Sequence, residues 1–355
     1  MAAIRVLVVD DSAFMRKVIS DIVNEDPHLE VVGKARDGQD ALKKIQELKP
    51  DVVTMDVEMP GMDGLAALEQ LMRTNPVPVI MISSLTKHGA EQTFKALQLG
   101  AVDFIAKPSG QISLDIDKVK DEIVRKIKTA AGTKNKLANF KYQEVVRPIK
   151  PVTQKNIDRS SDLKNIILIG TSTGGPKALH EVIPRLPANT NAGILIVQHM
   201  PPGFTRSLAE RLDSMSQIMV KEAEQGDKIL PGCAYIAPGD YHLTVNRPAS
   251  GQRELYINLT KDPPQGGHRP SVDTMLESVA QHYWANMVCV IMTGMGHDGS
   301  RGVQMIKERG GKVIAEHQST CIVYGMPKAA VETGCVDKIV MLQDISSEVI
   351  RLLQL

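Results

Sequence analysis

Three apolar runs in the second half of the chain end at residues whose side chains can take part in catalysis. The runs and the residues that follow them are 166–170 with Ser172, 193–198 with His199, and 288–296 with Asp298. If the runs are parallel strands, their carboxyl ends share one edge of a sheet, where α/β proteins bind ligands. At that edge, a serine nucleophile, a histidine base and an aspartate that orients the base would form a hydrolytic site. We therefore predict a serine hydrolase in this half of the chain.

The glycine-rich segment GTSTGG at 170–175 admits two interpretations. As G-x-S-x-G it is a strand-to-helix turn that exposes a nucleophilic serine. As a glycine-rich turn before a helix it could bind phosphate or a dinucleotide. The dinucleotide interpretation expects an acidic residue at the end of the next strand, but that strand ends in Gln198 and His199. A histidine there suits a base for Ser172, so catalysis is favoured.

Backbone N–H groups near the serine would stabilise the oxyanion that forms during attack. The candidates lie in the turn that holds Thr173 and Gly174 and in the loop 294–296, which holds Met295. The chain order serine, histidine, aspartate differs from the serine, acid, histidine order of α/β-hydrolases, so that fold is not expected.

Other residues could compete for the catalytic roles. The segment HRPSVD holds His268, Ser271 and Asp273, but Ser271 precedes a helix-like pattern and is better explained as its N-cap. His242 and His297 are alternative bases, although neither ends a strand beside that of the serine. The nine histidines are scattered and form no H-E-x-x-H motif, which argues against a metal hydrolase.

A second group of reactive side chains lies in the first half of the chain. Asp10 and Asp11 follow the first predicted strand, Asp56 closes the third, and Ser83 and Lys107 end the fourth and fifth. Three neighbouring carboxylates repel one another unless a cation joins them, and oxygen ligands suit Mg²⁺. A hydroxyl and an ammonium group beside them could hold a phosphoryl group. The alternative is that individual residues only cap helices or loops.

Strands and helices alternate in both halves of the chain. Five strands between residues 4 and 107 predict a doubly wound parallel sheet, and a second α/β pattern begins at 165. The alternating segment 254–260 predicts an antiparallel hairpin arm. Residues 126–164 are rich in lysine and arginine and lose the apolar periodicity, which is typical of an exposed basic linker. A nucleic-acid-binding tail is the alternative, but few aromatic residues are available there for stacking.

Composition excludes several classes of protein. The chain has 355 residues, a hydrophobic content of 43%, a charged content of 23% and a net charge of +1, so no global charge favours nucleic acid or an anionic membrane. No signal-peptide pattern is present, and no apolar run reaches the roughly 18 residues of a membrane span. The four cysteines form no C-x-x-C pair, which is typical of reduced thiols, and we expect a cytoplasmic protein.

The motifs VLVVDDS, MDVEMPGMDG and AKPS, at their separations here, resemble the receiver domain of two-component response regulators. The resemblance implies that Asp56 accepts a phosphoryl group from a phosphohistidine on a sensor histidine kinase. It also implies bound Mg²⁺ and a phosphoryl switch, with a phenylalanine at a position that is often tyrosine. The implied residues are Asp10, Asp11, Asp56 and the Glu58 carbonyl for the metal, and Ser83, Phe104 and Lys107 for the switch.

The segments IGTSTGGPKAL, VQHMPPGFT, IAPGDYHL, HRPSVD and MTGMGHDG, in this order, resemble the catalytic domain of the chemotaxis protein-glutamate methylesterases, the CheB family. The resemblance implies a triad of Ser172, His199 and Asp298 that uses no cofactor, with Met295 in the oxyanion loop. It implies hydrolysis of glutamyl methyl esters on cytoplasmic chemoreceptor helices, with release of methanol, and deamidation of receptor glutamines.

We thus expect two α/β domains, a flavodoxin-like (βα)5 receiver at 1–125 and a methylesterase domain at 165–355, joined by the linker 126–164. The receiver is expected to gate the serine site, and neither nucleic-acid binding nor membrane insertion is expected. The competing interpretation is a response regulator whose second domain binds a partner or a nucleotide without catalysis. A transcription factor would need a helix-turn-helix, and no such pattern is found.

Overall fold

Parallel sheets flanked by helices form both halves of the chain, so the predicted fold class is confirmed. The computed structural model describes residues 2–107, 116–134, 163–247, 254–282 and 286–353. The chain divides into an N-terminal unit, Met1–Val146, and a C-terminal unit, Arg147–Leu355.

The N-terminal unit has a five-stranded parallel sheet in the order β2-β1-β3-β4-β5. The strands are β1 (Ile4–Val9), β2 (Leu29–Ala35), β3 (Val52–Asp56), β4 (Val79–Ser83) and β5 (Asp103–Ala106). The helices are α1 (Ala13–Glu25), α2 (Gly38–Leu48), α3 (Gly64–Thr74), α4 (Lys87–Leu99) and α5 (Ile116–Ala131).

Local sequence sets where these elements begin and end. The central strand β3 is buried along its whole length, which explains its nearly uninterrupted apolar run. Ser12 caps α1 by accepting a hydrogen bond from the Met15 N–H, as a side-chain N-cap should. Gly100 ends α4 in the left-handed region, with a φ of 118° that favours glycine.

The strand order of this sheet reverses between β1 and β3. In such sheets the reversal leaves a crevice at the carboxyl ends of the strands. Asp10 and Asp11 follow β1 and Asp56 ends β3, so all three stand at this crevice.

The start of the predicted linker needs correction. Helix α5 continues to Ala131, so residues 126–131 are helical. Lys126, Lys128 and Lys134 form ion pairs with acidic residues of the same unit, because partners distant in sequence lie next to them in the fold. Residues 135–162, which make up most of the predicted linker, lie outside the described residues.

The C-terminal unit has a seven-stranded parallel sheet in the order β14-β13-β12-β6-β7-β9-β8, and β10 and β11 form a separate antiparallel pair. The strands are β6 (Asn165–Thr171), β7 (Gly193–Gln198), β8 (Met219–Glu222), β9 (Cys233–Ile236), β10 (His242–Asn246), β11 (Tyr256–Thr260), β12 (Asn286–Ile291), β13 (Lys312–Glu316) and β14 (Lys338–Val340). The helices are α6 (Gly175–Val182), α7 (Phe204–Met215), α8 (Val272–His282), α9 (Ser300–Glu308), α10 (Met326–Glu332) and α11 (Ile345–Leu353).

The order of this second sheet reverses between β6 and β12. Strands β6 and β7 are buried throughout, as expected for the centre of a sheet that helices cover on both faces. Ser172 follows β6, His199 follows β7, and the loop to Asp298 follows β12. The three residues chosen from the sequence therefore stand at the carboxyl edge around one crevice.

Within the part of the chain that the structure describes, no helix combines the length and the apolar character needed to cross a membrane.

Candidate functional site

His199 and Asp298 meet directly at the carboxyl edge of the second sheet. The Nε2 atom of His199 lies 2.8 Å from Oδ2 of Asp298, and the two side chains are only 8% and 6% exposed. Because a carboxylate only accepts hydrogen bonds, this contact places the imidazole proton on Nε2. The structure thus joins two of the three predicted triad residues through a buried, charge-assisted hydrogen bond.

The amino end of α8 holds the Asp298 carboxylate from the other side. Oδ1 accepts the Ser271 hydroxyl and the Asp273 N–H, both at 2.9 Å, and Oδ2 accepts the Val272 N–H at 2.7 Å. Burial by itself would raise the pKa of Asp298, but the hydrogen bond from His199 and the backbone donors lower it below its ordinary value. The carboxylate therefore remains ionised beside the imidazole.

The second ring nitrogen of His199 is the basic one. Its Nδ1 is buried and has no hydrogen-bond partner among the described residues. The ring stacks on His268, with centroids 3.9 Å apart and an interplanar angle of 8°. Stacking on one face and the Asp298 bond on the edge together restrict the ring, so the lone pair of Nδ1 is held in a fixed direction.

Ser172 lies in the tight turn between β6 and α6. Strand pairing sets Thr171 opposite Gln198, and the His199 N–H donates to the Thr171 carbonyl at 3.2 Å, so the serine and the histidine follow adjacent strand ends. Gly174 has a φ of 81°, in the region that favours glycine. A Cβ atom at Gly175 would collide with Gln198 and Thr171. The glycines of GTSTGG therefore let the chain turn closely against β7.

The predicted oxyanion loop packs against this turn. A Cβ atom at Gly294 would come within 2.9 Å of the Ser172 Cβ, so only glycine allows the loop to approach so closely. Met295, the next residue in the loop, is partly buried. The structure therefore brings the loop of Met295 beside the turn that holds Thr173 and Gly174.

The rival residues lie elsewhere or act differently. Ser271 accepts the Thr274 N–H at 3.3 Å, as the predicted N-cap should, while its own hydroxyl donates to Asp298. His242 is fully buried, and its Nε2 lies 3.2 Å from the Pro263 carbonyl. The His297 side chain is exposed.

Two features of the site were not predicted. They are the stacking of His268 on His199 and the seating of Asp298 on the amino end of α8. Both involve the HRPSVD segment, 268–273, but nothing in the sequence shows which way its side chains point.

The predicted phosphoryl site also assembles at its sheet edge. Carboxylate oxygens of Asp10, Asp11 and Asp56 all lie within 4.8 Å of one another. The Lys107 ammonium donates to Oδ2 of Asp56 at 2.6 Å and lies 3.4 Å from Oδ2 of Asp10. Burial raises the pKa of Asp56 to about 6, against the opposing effect of Lys107, and burial also raises the pKa of Asp10. Burial therefore disfavours the charged form of both carboxyl groups.

These residues fit a small divalent cation. Oδ2 of Asp10 is buried, and among the described residues it makes the ion pair with Lys107 at 3.4 Å but no hydrogen bond of good geometry. The exposed Glu58 follows two residues after Asp56 and donates its N–H to Oδ1 of that residue at 3.3 Å. A compact set of carboxylate and carbonyl oxygens is the environment that Mg²⁺ prefers.

The predicted switch residues lie nearby in the same unit. The Ser83 hydroxyl donates to the Gly89 carbonyl at 3.0 Å, which ties the end of β4 to α4. Phe104 on β5 is 2% exposed, and the Lys126 ammonium lies 5.2 Å from the centre of its ring. The aromatic side chain is thus enclosed between the sheet and α5.

Two family models match the chain: CheB methylesterase over residues 167–349 and response regulator receiver domain over residues 6–116. The chain belongs to the CheB methylesterase family. It is 60% identical to protein-glutamate methylesterase/protein-glutamine glutaminase 1 of Syntrophomonas wolfei, over 98% of this chain and 99% of that protein. It is 52% identical to the protein-glutamate methylesterase/protein-glutamine glutaminase of Pyrococcus abyssi, over 99% of this chain and 94% of that protein.

A solved structure supports the C-terminal part of this assignment. The CheB methylesterase catalytic domain of Thermotoga maritima is 45% identical, with a TM-score of 0.51, and the match covers 54% of this chain and all of that domain. The family resemblance predicted from the sequence, with a receiver domain joined to a methylesterase domain, is confirmed.

Proposed function

We propose that this CheB family member is a phosphorylation-controlled protein-glutamate methylesterase that also deamidates protein glutamines. The observation that carries the proposal is the buried His199–Asp298 pair beside the Ser172 turn. A binding domain without catalysis would have no need to keep an ionised carboxylate, an oriented imidazole and a serine turn together.

The reaction follows from the orientation of the imidazole. Ser172 Oγ attacks the ester carbonyl while Nδ1 of His199 accepts the hydroxyl proton, and Asp298 stabilises the imidazolium that forms. The same proton passes to the methoxy oxygen, methanol leaves, and the glutamyl group remains bound to the serine as an ester. A water molecule, deprotonated by the imidazole, then releases the glutamate and restores the serine.

Backbone N–H groups stabilise the negative oxygen of both tetrahedral intermediates. We assign this role to the turn at Thr173 and Gly174 and to the loop at Met295, which packs beside it. An amide carbonyl is attacked in the same way, with ammonia as the leaving group. The triad chemistry calls for no cofactor in this half of the chain.

We assign the phosphoacceptor role to Asp56, which would take the phosphoryl group from a phosphohistidine of a chemotaxis sensor kinase. Asp10, Asp11, Asp56 and the carbonyl of Glu58 would hold Mg²⁺, which when bound neutralises charge on the phosphoryl oxygens. Lys107, already paired with Asp56, would hold a phosphoryl oxygen once the carboxylate has reacted.

Control and location complete the proposal. We propose that the receiver, at about 1–125, blocks the serine site until phosphorylation of Asp56 moves Ser83 and Phe104. The substrates would be cytoplasmic helices of methyl-accepting chemoreceptors, which places the reaction in the cytoplasm. Nucleic-acid binding and membrane insertion have no part in the mechanism.

Mass spectrometry of methylated receptor peptides tests this function. Incubation with the phosphorylated protein should remove about 14 Da from each esterified glutamate, and Ser172→Ala should lower the rate by about 10³-fold or more, as loss of a nucleophile does. The variant should still accept phosphate at Asp56, which shows that the N-terminal unit is intact. An unchanged rate in Ser172→Ala would remove the serine from the mechanism, and unchanged peptides with the phosphorylated wild-type protein would favour a binding domain without catalysis.

A further inference from the structure

Thr293 contacts all three residues at the start of the serine turn. Its carbonyl accepts the Ser172 N–H and the Thr171 hydroxyl, both at 3.0 Å. Its own hydroxyl donates to the Thr173 carbonyl at 2.9 Å. Thr293 lies between β12 and the loop of Met295, so one residue links the turn to that loop.

The hydrogen bond from the Thr293 hydroxyl to the Thr173 carbonyl also affects the backbone N–H that follows this carbonyl. In a trans peptide the C=O and the following N–H point in opposite directions within one plane. A hydroxyl that holds the Thr173 carbonyl therefore also sets the direction of the Gly174 N–H. In the same way Gln198, whose Nε2 donates to the Ser172 carbonyl at 3.0 Å, sets the direction of the Thr173 N–H.

Thr293 is itself held in place. Its N–H donates to Oε2 of Glu316 at 2.8 Å, and its hydroxyl accepts the Val323 N–H at 3.0 Å. Thr293 is 1% exposed and Glu316, at the end of β13, is fully buried. The Val323 carbonyl lies farther from the hydroxyl, at 3.3 Å, than the Thr173 carbonyl does. The hydroxyl thus acts as acceptor and donor in a buried network, where a lost partner cannot be replaced by bulk water.

We infer that Thr293 is a positioning residue for the hydrolysis: its hydroxyl orients the Gly174 N–H toward the developing oxyanion. The inference rests on the proposed function, in which that N–H stabilises the tetrahedral intermediate. Beyond that function, a side chain outside the triad aligns the backbone donors of the oxyanion site. Catalysis gains because the donors need no reorganisation when charge develops.

The test compares Thr293→Val, which keeps the shape but lacks the hydroxyl, with Thr293→Ser, which keeps it. Misaligning a donor costs less than removing one, so kcat of Thr293→Val should fall by about 10- to 100-fold with KM within about twofold. Labelling of Ser172 by a fluorophosphonate, which forms a tetrahedral adduct, should slow in parallel. Thr293→Ser should stay within about threefold of wild type, because the hydroxyl bond is retained.

Thr205→Val serves as the matched control. That buried hydroxyl also accepts a backbone N–H, from Gly239 at 3.1 Å, and donates to a side chain, Glu222, at 2.6 Å. Thr205→Val should lower the melting temperature as Thr293→Val does, yet its Ser172 should be labelled by the fluorophosphonate at the wild-type rate. The inference is overturned if Ser172 is labelled at the same rate in wild type and Thr293→Val. It is also overturned if Thr293→Val and Thr293→Ser lose the same factor in kcat.

The labelling assay separates this inference from the proposed function. If the wild-type protein labels at Ser172 but leaves receptor esters intact, the substrate assignment fails while the comparison of variants still decides the role of Thr293. If Thr293→Val does not fold, Thr293→Ala, which removes the hydroxyl without adding volume, takes its place with the same expected loss.

Discussion

At the scale of single residues, Asp298 is held by four donors that converge on its carboxylate. Asp298→Asn would present an amide N–H₂ to groups that are themselves donors. If that amide faces His199, the ring must take the other tautomer, with its proton on Nδ1, and can no longer accept the serine proton. We expect kcat to fall by about 10³- to 10⁴-fold, and ester hydrolysis measured with the variant checks this.

The same variant tests the electrostatic role of the carboxylate. The pKa of Asp298 is lowered in the folded state, so its ionised form stabilises the fold above the ordinary value of 3.8, and this contribution is lost as the pH falls through the folded pKa. The difference in unfolding free energy between wild type and Asp298→Asn should therefore be largest near neutral pH and shrink below about pH 4.

Asp273→Asn is the control for this pH dependence. Burial raises the pKa of Asp273, so any contribution from its titration is present at low pH and lost as the pH rises. Its carboxylate accepts the Gly302 N–H at 2.7 Å, on the next helix. If the loss of unfolding free energy relative to wild type shrinks on acidification in both Asp298→Asn and Asp273→Asn, the assigned role of Asp298 is contradicted.

Residue type and position were enough to predict that Ser172, His199 and Asp298 stand at one edge of a sheet, because each follows an apolar run that forms a central strand. The tautomer of His199, the stacking of His268 on it and the hydrogen bonds of Thr293 to the serine turn were not predictable in this way. Each depends on the direction of a side chain between segments that are about 70 or more residues apart. Such directions are set by packing and not by local pattern.

At the scale of elements, the amino end of α8 acts as an anion site for the Asp298 carboxylate. Backbone N–H groups at a helix start and the helix dipole both favour negative charge there. Ser271 contributes twice, as cap and as donor to Asp298. We expect Ser271→Ala to destabilise the protein by about 1–2 kcal/mol, as lost caps do.

Ser271→Ala should also lower kcat by less than about tenfold, because the two backbone donors remain on Asp298. Denaturant unfolding measures the loss of stability in Ser271→Ala, and ester hydrolysis measures its loss of kcat. Ser346→Ala removes another buried hydroxyl, which donates to the Val182 carbonyl at 2.8 Å, and should destabilise without affecting kcat. A loss as complete as in Ser172→Ala would instead make Ser271 a candidate nucleophile.

Most strands and helices were predicted from their apolar patterns, but a few elements, such as β8 and α11, were not. The apolar runs of the central strands β6, β7 and β12 gave their positions to within a few residues. The edge strand β8 has four residues with mixed burial and carries no such signal. Helix α11 buries Ile345, Val349 and Leu353, a helical spacing that the sequence does contain and that received no prediction.

At the scale of the whole molecule, the chain joins a receiver domain to a methylesterase domain, and each has its candidate site at the carboxyl edge of its own parallel sheet. The relatives from Syntrophomonas wolfei and Pyrococcus abyssi match this chain over 99% and 94% of their length, so the similarity covers both domains. A catalytic pair that is already formed needs no assembly on activation. We therefore expect the proposed control by the receiver to act on access to the serine or on its immediate surroundings.

Removal of the receiver tests this kind of control. The solved Thermotoga maritima catalytic domain, 45% identical, indicates that a fragment of residues 160–355 can fold by itself. If the receiver blocks the site, the fragment should hydrolyse receptor esters about tenfold faster than unphosphorylated full-length protein, which corresponds to about 1.4 kcal/mol. Phosphorylation should bring the full-length protein toward the fragment rate, and Asp56→Asn should prevent this. Equal rates for the fragment and the unphosphorylated full-length protein would exclude a blocking receiver and would leave the phosphoryl group only a direct, activating effect.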